Sequence, residues 1–364
     1  MAMETMLVLS AAMGRTLVLP PKKHMYLLGQ AKFSFNDFFH MADIDAEYEG
    51  LNIITMEEFL KREGMEGNLV DRSSNKVEHP PDDKVKWDGQ DLYPLWKYLR
   101  RVGLRNRDWS NPENCLAGFP KTTGESAINE LRDMDAKVRA MRPEENGANL
   151  FTGNPVGSDA VAFERLRENL GGRQGLCIYD QEMQEAKLIH FKTEKTDSED
   201  DRMLAHFYTF VYFADWKQDL WIKRFIRDHV RYIDKIFCAG ARIVHAIRER
   251  ASSRSDNPKG IYDSLHVRRG DFQYKRTRLS VQELFDISKP HLEAKATLYI
   301  ATDERDKSFF SLFKENYDVV YLGDFMHLID DIPANYYGMV EQVVASLGRV
   351  FIGTWFSSLS GVYR

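Results

Sequence analysis

Through the C-terminal third of the chain, short apolar runs alternate with stretches whose apolar residues recur at helical spacing. Residues 261–267, 296–301, 318–322 and 349–353 read as strands. Between them, 307–316 has the pattern of an amphipathic helix, and 335–347 that of a helix with Met339, Val340, Val343, Val344 and Leu347 on its apolar face. Such alternation predicts βαβ units and a parallel sheet, hence an α/β fold. Polar residues recur where these strands end, and in an open parallel sheet that is where ligands bind.

The N-terminal part reads as a second α/β region. An apolar helix over 5–13 ends at Gly14, and a strand over 17–19 is stopped by Pro20-Pro21, which cannot donate to a ladder. A strand at 53–55 leads through the cap Thr55 into a helix. Residues 73–89 read as a polar surface loop, 91–101 and 125–141 as helices, and the proline-rich region 106–159 as otherwise irregular. The acidic stretch 193–201 reads as a solvated loop. Aromatics and bases interleave over 204–250, but Phe225, Val230, Ile233 and Phe237 fall near helical spacing, so core-facing helices bracing two domains are expected. The expected domains are 1–225 and 226–364.

Composition narrows the function. The chain has 364 residues, 43% apolar and 29% charged, enough for two globular domains. A formal net charge of -5 provides no broad attraction for nucleic acid, so a cluster of bases needs a local explanation such as a small anion. Three cysteines, Cys115, Cys177 and Cys238, lack metal-ligand spacing. One bridge is open to them, but Cys177 and Cys238 read as buried small apolar residues. No run has the length of a membrane span. The apolar start does not read as a signal peptide, since Glu4 precedes it and no basic region does.

The candidate chemistry sits at the exit of the 261–267 strand, in Leu265-His266-Val267-Arg268-Arg269-Gly270-Asp271-Phe272. Arginine grips phosphate with two parallel hydrogen bonds, so the expected function of this exit is a diphosphate clamp. Arg268 is the expected ligand, with His266 two residues earlier on the same face. Arg269 faces the other way and is expected in an ion pair with Asp271 or a helix carboxylate. Asp271 reads as a loop brace. Thr302, Asp303 and Glu304 end the next strand, where Asp303 is placed to accept hydrogen bonds from a base or ribose; the structural alternative makes Thr302 or Asp303 the N-cap of the following helix. Ser357 and Ser358 are expected to donate to phosphate oxygens or to cap a helix, with Thr354 the weaker candidate. No Asp-x-Asp pair stands at a strand end, so a metal-independent clamp is expected.

Three segments in this order resemble the GDP-fucose O-fucosyltransferases: an HxRRGDF-like strand end (266–272), a strand ending in ATDE (301–304) and a GTWFS segment (353–357). The resemblance extends to 206–246 and to Met13-Gly14-Arg15-Thr16. It implies a GT-B-like fold of two facing Rossmann-like domains with parallel sheets, the first on the acceptor side and the second binding the donor. It implies inverting transfer of fucose from GDP-fucose to a hydroxyl of a protein or glycan, without a metal or further cofactor, in the ER or Golgi lumen. Within it, His266, Arg268, Thr302, Asp303, Ser357 and Ser358 are the expected donor ligands, and Arg268 stabilises the leaving group. The family's first strand and its Gly- and Asn-containing turn have no counterpart here, so Met1 reads as an internal start. The catalytic base has no assigned residue; Asp37 and Glu57 are only the nearest candidates. Two other readings stand beside this one: a catalytically silent GDP-sugar-binding relative, and an adhesion module built on Arg269-Gly270-Asp271.

Overall fold

The computed structural model describes residues 2–24, 31–47, 50–88, 91–105, 109, 115–140, 158–170, 172–191, 210–270 and 278–354. The chain divides into two compact units between Arg231 and Tyr232, and both are built from helices and parallel sheet. Most helices and strands stand close to where the periodicity puts them, but Val211–Phe213, inside the stretch expected to be helical, forms a buried strand paired with Cys115–Phe119.

In the first unit, the apolar helix Ala2–Met13 buries Leu7, Val8 and Leu9. After it come β1 (Leu17–Leu19), β2 (Lys23–His24), β3 (Lys32–Phe33), β4 (Ile53–Thr55), β5 (Leu104–Arg105), β6 (Cys115–Phe119), β7 (Gly175–Ile178), β8 (Ile189–His190) and β9 (Val211–Phe213). β1 pairs with β4, β5 with β8, and β6 with both β7 and β9, all in parallel; β2 and β3 form a small antiparallel pair. Thr55 caps the helix after β4, sharing reciprocal hydrogen bonds with Glu58. Arg15, just past the first helix, donates to Tyr179 Oη (3.1 Å) and to the carbonyls of Met183 (2.6 Å), Gln184 (2.9 Å) and Ala186 (2.6 Å). One guanidinium thus satisfies the carbonyls at the end of the Gln181–Glu185 helix, which have no partner within it. The Trp216–His229 helix packs Ile222, Phe225 and Ile226 into the same core.

Two expectations about cysteine are corrected. Cys115 and Cys177 form a disulfide. Cys115 lies opposite Gly175 in the β6–β7 ladder, and Cys177 is two residues further along, so both side chains share a sheet face on a diagonal. Their Cα atoms are 5.6 Å apart, a distance a bridge spans readily. Cys238 is exposed, not buried. Its helix, Asp234–Ser252, buries Ile236, Ala239, Gly240, Ile243, Val244 and Ile247, and position 238 falls on the opposite side of that stripe.

The second unit carries the clearest architecture. β10 (Tyr262–Val267), β11 (Thr297–Thr302), β12 (Asp318–Val320) and β13 (Phe351–Gly353) form one parallel sheet in the order β12-β11-β10-β13. Both faces are covered. Tyr262, Tyr299, Ala301 and Val320 pack against the Asp234–Ser252 and Tyr337–Ser346 helices. Leu265, Val267, Leu298 and Ile300 pack against Phe285, Phe310 and Phe313. A sheet buried on both faces accounts for strands that read as continuous apolar runs. Leu347, expected on the apolar face of its helix, is instead 48% exposed just beyond the helix end.

The bridge across β6 and β7 closes a long loop, its ends 62 positions apart in sequence. Replacing Cys115 and Cys177 together by serine is therefore expected to cost about 4 kcal/mol in the first unit. Calorimetry in the absence and presence of reductant checks this, the wild-type chain under reductant melting like the double variant. Thiol titration of the folded protein should count one reactive group, Cys238.

Candidate donor site at the strand exits

The chain leaves β10, runs outward through β11 and β12, then crosses back to place β13 on the other side of β10. This reversal makes the exits of β10 and β13 the topological switch point, where a parallel sheet opens a crevice. His266 stands opposite Gly353 on one side and Ala301 on the other. The residues singled out in sequence at 266–269 and 302–304 thus converge on one end of the sheet.

Asp303 organises this end. Its Oδ1 accepts the backbone N–H of Arg269 (2.7 Å), and its Oδ2 accepts that of Gly270 (2.9 Å). The same Oδ2 lies 2.7 Å from Arg268 Nη1. A Cβ on Gly270 would sit 2.5 Å from Asp303 Oδ2, so only glycine lets this backbone approach the carboxylate. Thr302 and Thr354 lock the neighbouring strands. The Thr302 hydroxyl donates to the Val267 carbonyl (2.7 Å) and accepts from the Glu304 amide (3.0 Å). The Thr354 hydroxyl donates to the His266 carbonyl (3.1 Å) and accepts from the Arg268 amide (3.0 Å). The Arg278 guanidinium also reaches the Gly270 carbonyl.

The two arginines have different surroundings. Arg269 donates to Glu304 Oε2 (3.0 Å) and the Leu279 carbonyl (2.7 Å), with its guanidinium 3.8 Å from the Phe309 ring centre. This carboxylate belongs to the turn after β11 and not to a helix, and Asp271 lies outside the described residues. Arg268 pairs with Asp303 and is partly exposed. Neither Thr302 nor Asp303 caps the following helical segment; Asp306 does, accepting from the Ser308 amide (2.9 Å). β11 runs through Thr302, so the first non-extended residues still belong to the strand exit. Ser357 and Ser358 lie outside the described residues.

Behind this rim lie three titratable groups. His266 is buried, and loss of hydration pushes its pKa down to about 4, Asp303 opposing and Arg268 adding to the shift. Glu341, on the Tyr337–Ser346 helix, reaches Tyr299 Oη (3.5 Å) and the Thr302 amide. Burial raises its pKa to about 7 despite the opposing charge of Lys307. Burial lowers that of Lys307, whose ammonium donates to the Glu304 carbonyl (2.6 Å). Sequence reasoning missed Glu341, Lys307 and Arg278. Only Glu341 left a signal, a lone carboxylate beside Val340 in an otherwise apolar stripe. In the first unit, Asp37 accepts the Ser34 amide (2.8 Å), and exposed Glu57 pairs with Lys61 (2.7 Å), both ordinary local contacts. Among the described residues, no group of three or more His, Cys, Asp or Glu side chains has the arrangement to hold a metal.

A family model described as GDP-fucose protein O-fucosyltransferase matches residues 1–363. No curated protein matches the chain significantly. Among solved structures, POFUT1 in complex with GDP-fucose is similar at 12% identity over 100% of this chain and 88% of that one, with a TM-score of 0.38. POFUT1 in complex with GDP is similar at 12% identity over 99% and 88%, with a TM-score of 0.34. Superpositions this loose set no residue-by-residue correspondence.

The two buried groups oppose each other in pH. His266 binds a proton more readily in the unfolded chain, at 6.5 against about 4, so its contribution to stability is complete above 6.5 and is lost as pH falls through that window. Glu341 binds its proton more tightly in the folded chain, at about 7 against 4.5, so its contribution is complete below 4.5 and is lost as pH rises through 7. Each amounts to about 3 kcal/mol at most. Urea unfolding between about pH 4.5 and 7 should show His266→Gln losing stability with rising pH and Glu341→Gln gaining it. Parallel profiles for the two variants would remove both assignments.

Proposed function

The chain belongs to the GDP-fucose protein O-fucosyltransferase family, and from that premise we propose that it transfers fucose from GDP-fucose to a hydroxyl of a protein or glycan. The transfer is inverting and metal-independent in this reading. The second unit binds the donor and the first serves the acceptor, which fits the GT-B-like arrangement implied by the motifs. The observation that carries the proposal is Arg268 at the switch point, with its guanidinium aligned by Asp303 at 2.7 Å.

Departure of GDP leaves negative charge on the diphosphate while the anomeric carbon becomes cation-like, as in glycoside hydrolysis. A guanidinium oriented before the donor arrives stabilises that charge without reorganising as the bond breaks. Asp303 engages Nη1 and keeps the planar fork aligned, and a fork of this shape matches phosphate oxygens. His266, held neutral by burial, is suited to a directional hydrogen bond to the nucleotide and not to a second charge contact. Asp303 has both oxygens occupied by Arg268, Arg269 and Gly270, so its support for the donor runs through the loop it shapes as well as through any direct contact. Ser357 and Ser358 complete the proposed donor set. The base that takes the acceptor proton is left to the acceptor side.

The Cys115–Cys177 bridge supports placement in a secretory lumen, since disulfides persist in oxidising compartments. Transfer of labelled fucose from GDP-fucose to protein acceptors tests the activity. Donor binding without transfer to any acceptor would favour a catalytically silent relative.

Arg268→Lys keeps the charge and loses the fork. GDP affinity should fall by about tenfold or more, as expected for loss of roughly 1.5 to 3 kcal/mol of charge-assisted hydrogen bonding. Arg269→Lys should leave GDP affinity nearly unchanged and lower the melting temperature, because its contacts are with Glu304, Leu279 and Phe309. Calorimetric titration beside thermal melts separates the two; equal GDP affinity in Arg268→Lys and the parent would remove this strand exit as the nucleotide site. Titration in EDTA should give the same affinity as without it, and a collapse on chelation would end the fixed-cation mechanism.

A further inference from the structure

At the entry end of the second unit's sheet, opposite the strand exits, lies a cleft of about 400 Å³ lined by Arg248, Lys259, Ile261, Tyr262, Leu347 and Arg349. Its walls are fixed by the backbone. Gly260 sits at φ +62°, and a Cβ there would lie 2.3 Å from the Arg248 carbonyl oxygen, so the loop carrying Lys259 and Ile261 is pressed onto the Asp234–Ser252 helix. The Arg349 amide donates to the Tyr262 carbonyl (2.8 Å), which ties the opposite wall to β10.

The lining is unbalanced in charge. Arg349 is matched by Asp263 (2.7 Å) and Glu293 (3.6 Å). Arg248 and Lys259 make no ion pair among the described residues. Between these cations stand two aliphatic side chains left in water, Ile261 at 39% and Leu347 at 48% exposure. The Tyr262 ring is 1% exposed with its hydroxyl committed to the Val344 carbonyl (2.6 Å), so the cleft offers no aromatic face for a base or sugar ring to stack on. It offers no free hydroxyl or amide side chain for sugar recognition either.

We propose that this cleft is a docking site for an acidic peptide segment with an aliphatic residue next to its carboxylates. Carboxylates would neutralise Arg248 and Lys259, and the aliphatic side chain would cover Ile261 and Leu347; the cleft's volume is at the lower end of the range for ligand sites and suits a few side chains. The site is independent of donor binding and lies at the other end of the sheet. A chain of net charge -5 has no general attraction for acidic peptides, so binding has to come from this local surface.

The probe is a capped, fluorescein-labelled peptide of alternating glutamate and leucine, followed by anisotropy on the full chain. The parent should bind it in a salt-sensitive way. Charge reversal of both cations, Arg248→Glu with Lys259→Glu, should weaken binding by about tenfold or more. Leu347→Ser should weaken it several-fold, as should serine for leucine in the peptide. All variants are at exposed positions, and unchanged melting temperatures and GDP affinity would show that the fold and the strand exits are intact. Absence of binding up to millimolar peptide would overturn the proposal. So would equal binding by the charge-reversed variant, or equal binding of the serine peptide, which would reduce the site to ordinary ion attraction.

Discussion

The strand-exit end of the second unit depends on the carboxylate of Asp303. Two N–H groups and a guanidinium converge on its two oxygens, at 2.7, 2.9 and 2.7 Å. Hydrogen bonds to an ionised acceptor are about twice as strong as neutral ones, and three on one carboxylate fix it and everything it holds. The loop after β10, the direction of Arg268 and the register of the β10 and β11 exits are therefore one construction. Thr302 and Thr354 extend it sideways by bridging β10 to its neighbours on both flanks.

This construction works because the sheet beneath it is dry. β10 is buried along its whole length and β11 along all but its last residue, so charged groups can emerge only where the strands end. The reversal of strand order around β10 then makes that end a crevice between neighbouring strand exits. His266, the last polar side chain within the strand, stays neutral for the same reason, since charging it in the sheet would forfeit hydration with little in return.

The first unit has smaller sheets and is held by different means. Its ladders are of two and three strands, and the Cys115–Cys177 bridge ties β6 to β7 on the sheet face that meets the core of Ala117, Phe119 and Phe213. Arg15 supplies a second tie, joining the chain after the first helix to the Gln181–Glu185 helix across 164 residues or more of sequence. Both devices connect distant segments through a few strong contacts where apolar area per strand is small.

The sequence by itself determined most elements and where charged groups emerge from the second unit's sheet. Apolar period, proline stops and capping residues such as Thr55 report on neighbours within a turn or a strand, and the strand exits at Arg268 and Asp303 were legible because charge next to a continuous apolar run marks where a buried strand meets water. What each polar residue holds was decided by the tertiary structure. Asp303 lies 33 residues from Gly270, Thr302 lies 35 from Val267 and Thr354 lies 88 from His266, and no periodicity reaches across such separations. The same limit hid the Cys115–Cys177 pair, since only parallel register sets two distant cysteines on one sheet face. It also hid what Glu341 meets, since only the packing of its helix onto β11 brings Tyr299 and Thr302 to it and shifts its proton affinity by desolvation. Pattern along a chain records which side of an element faces water; partners depend on which elements meet, and that is settled only when the whole sheet is assembled.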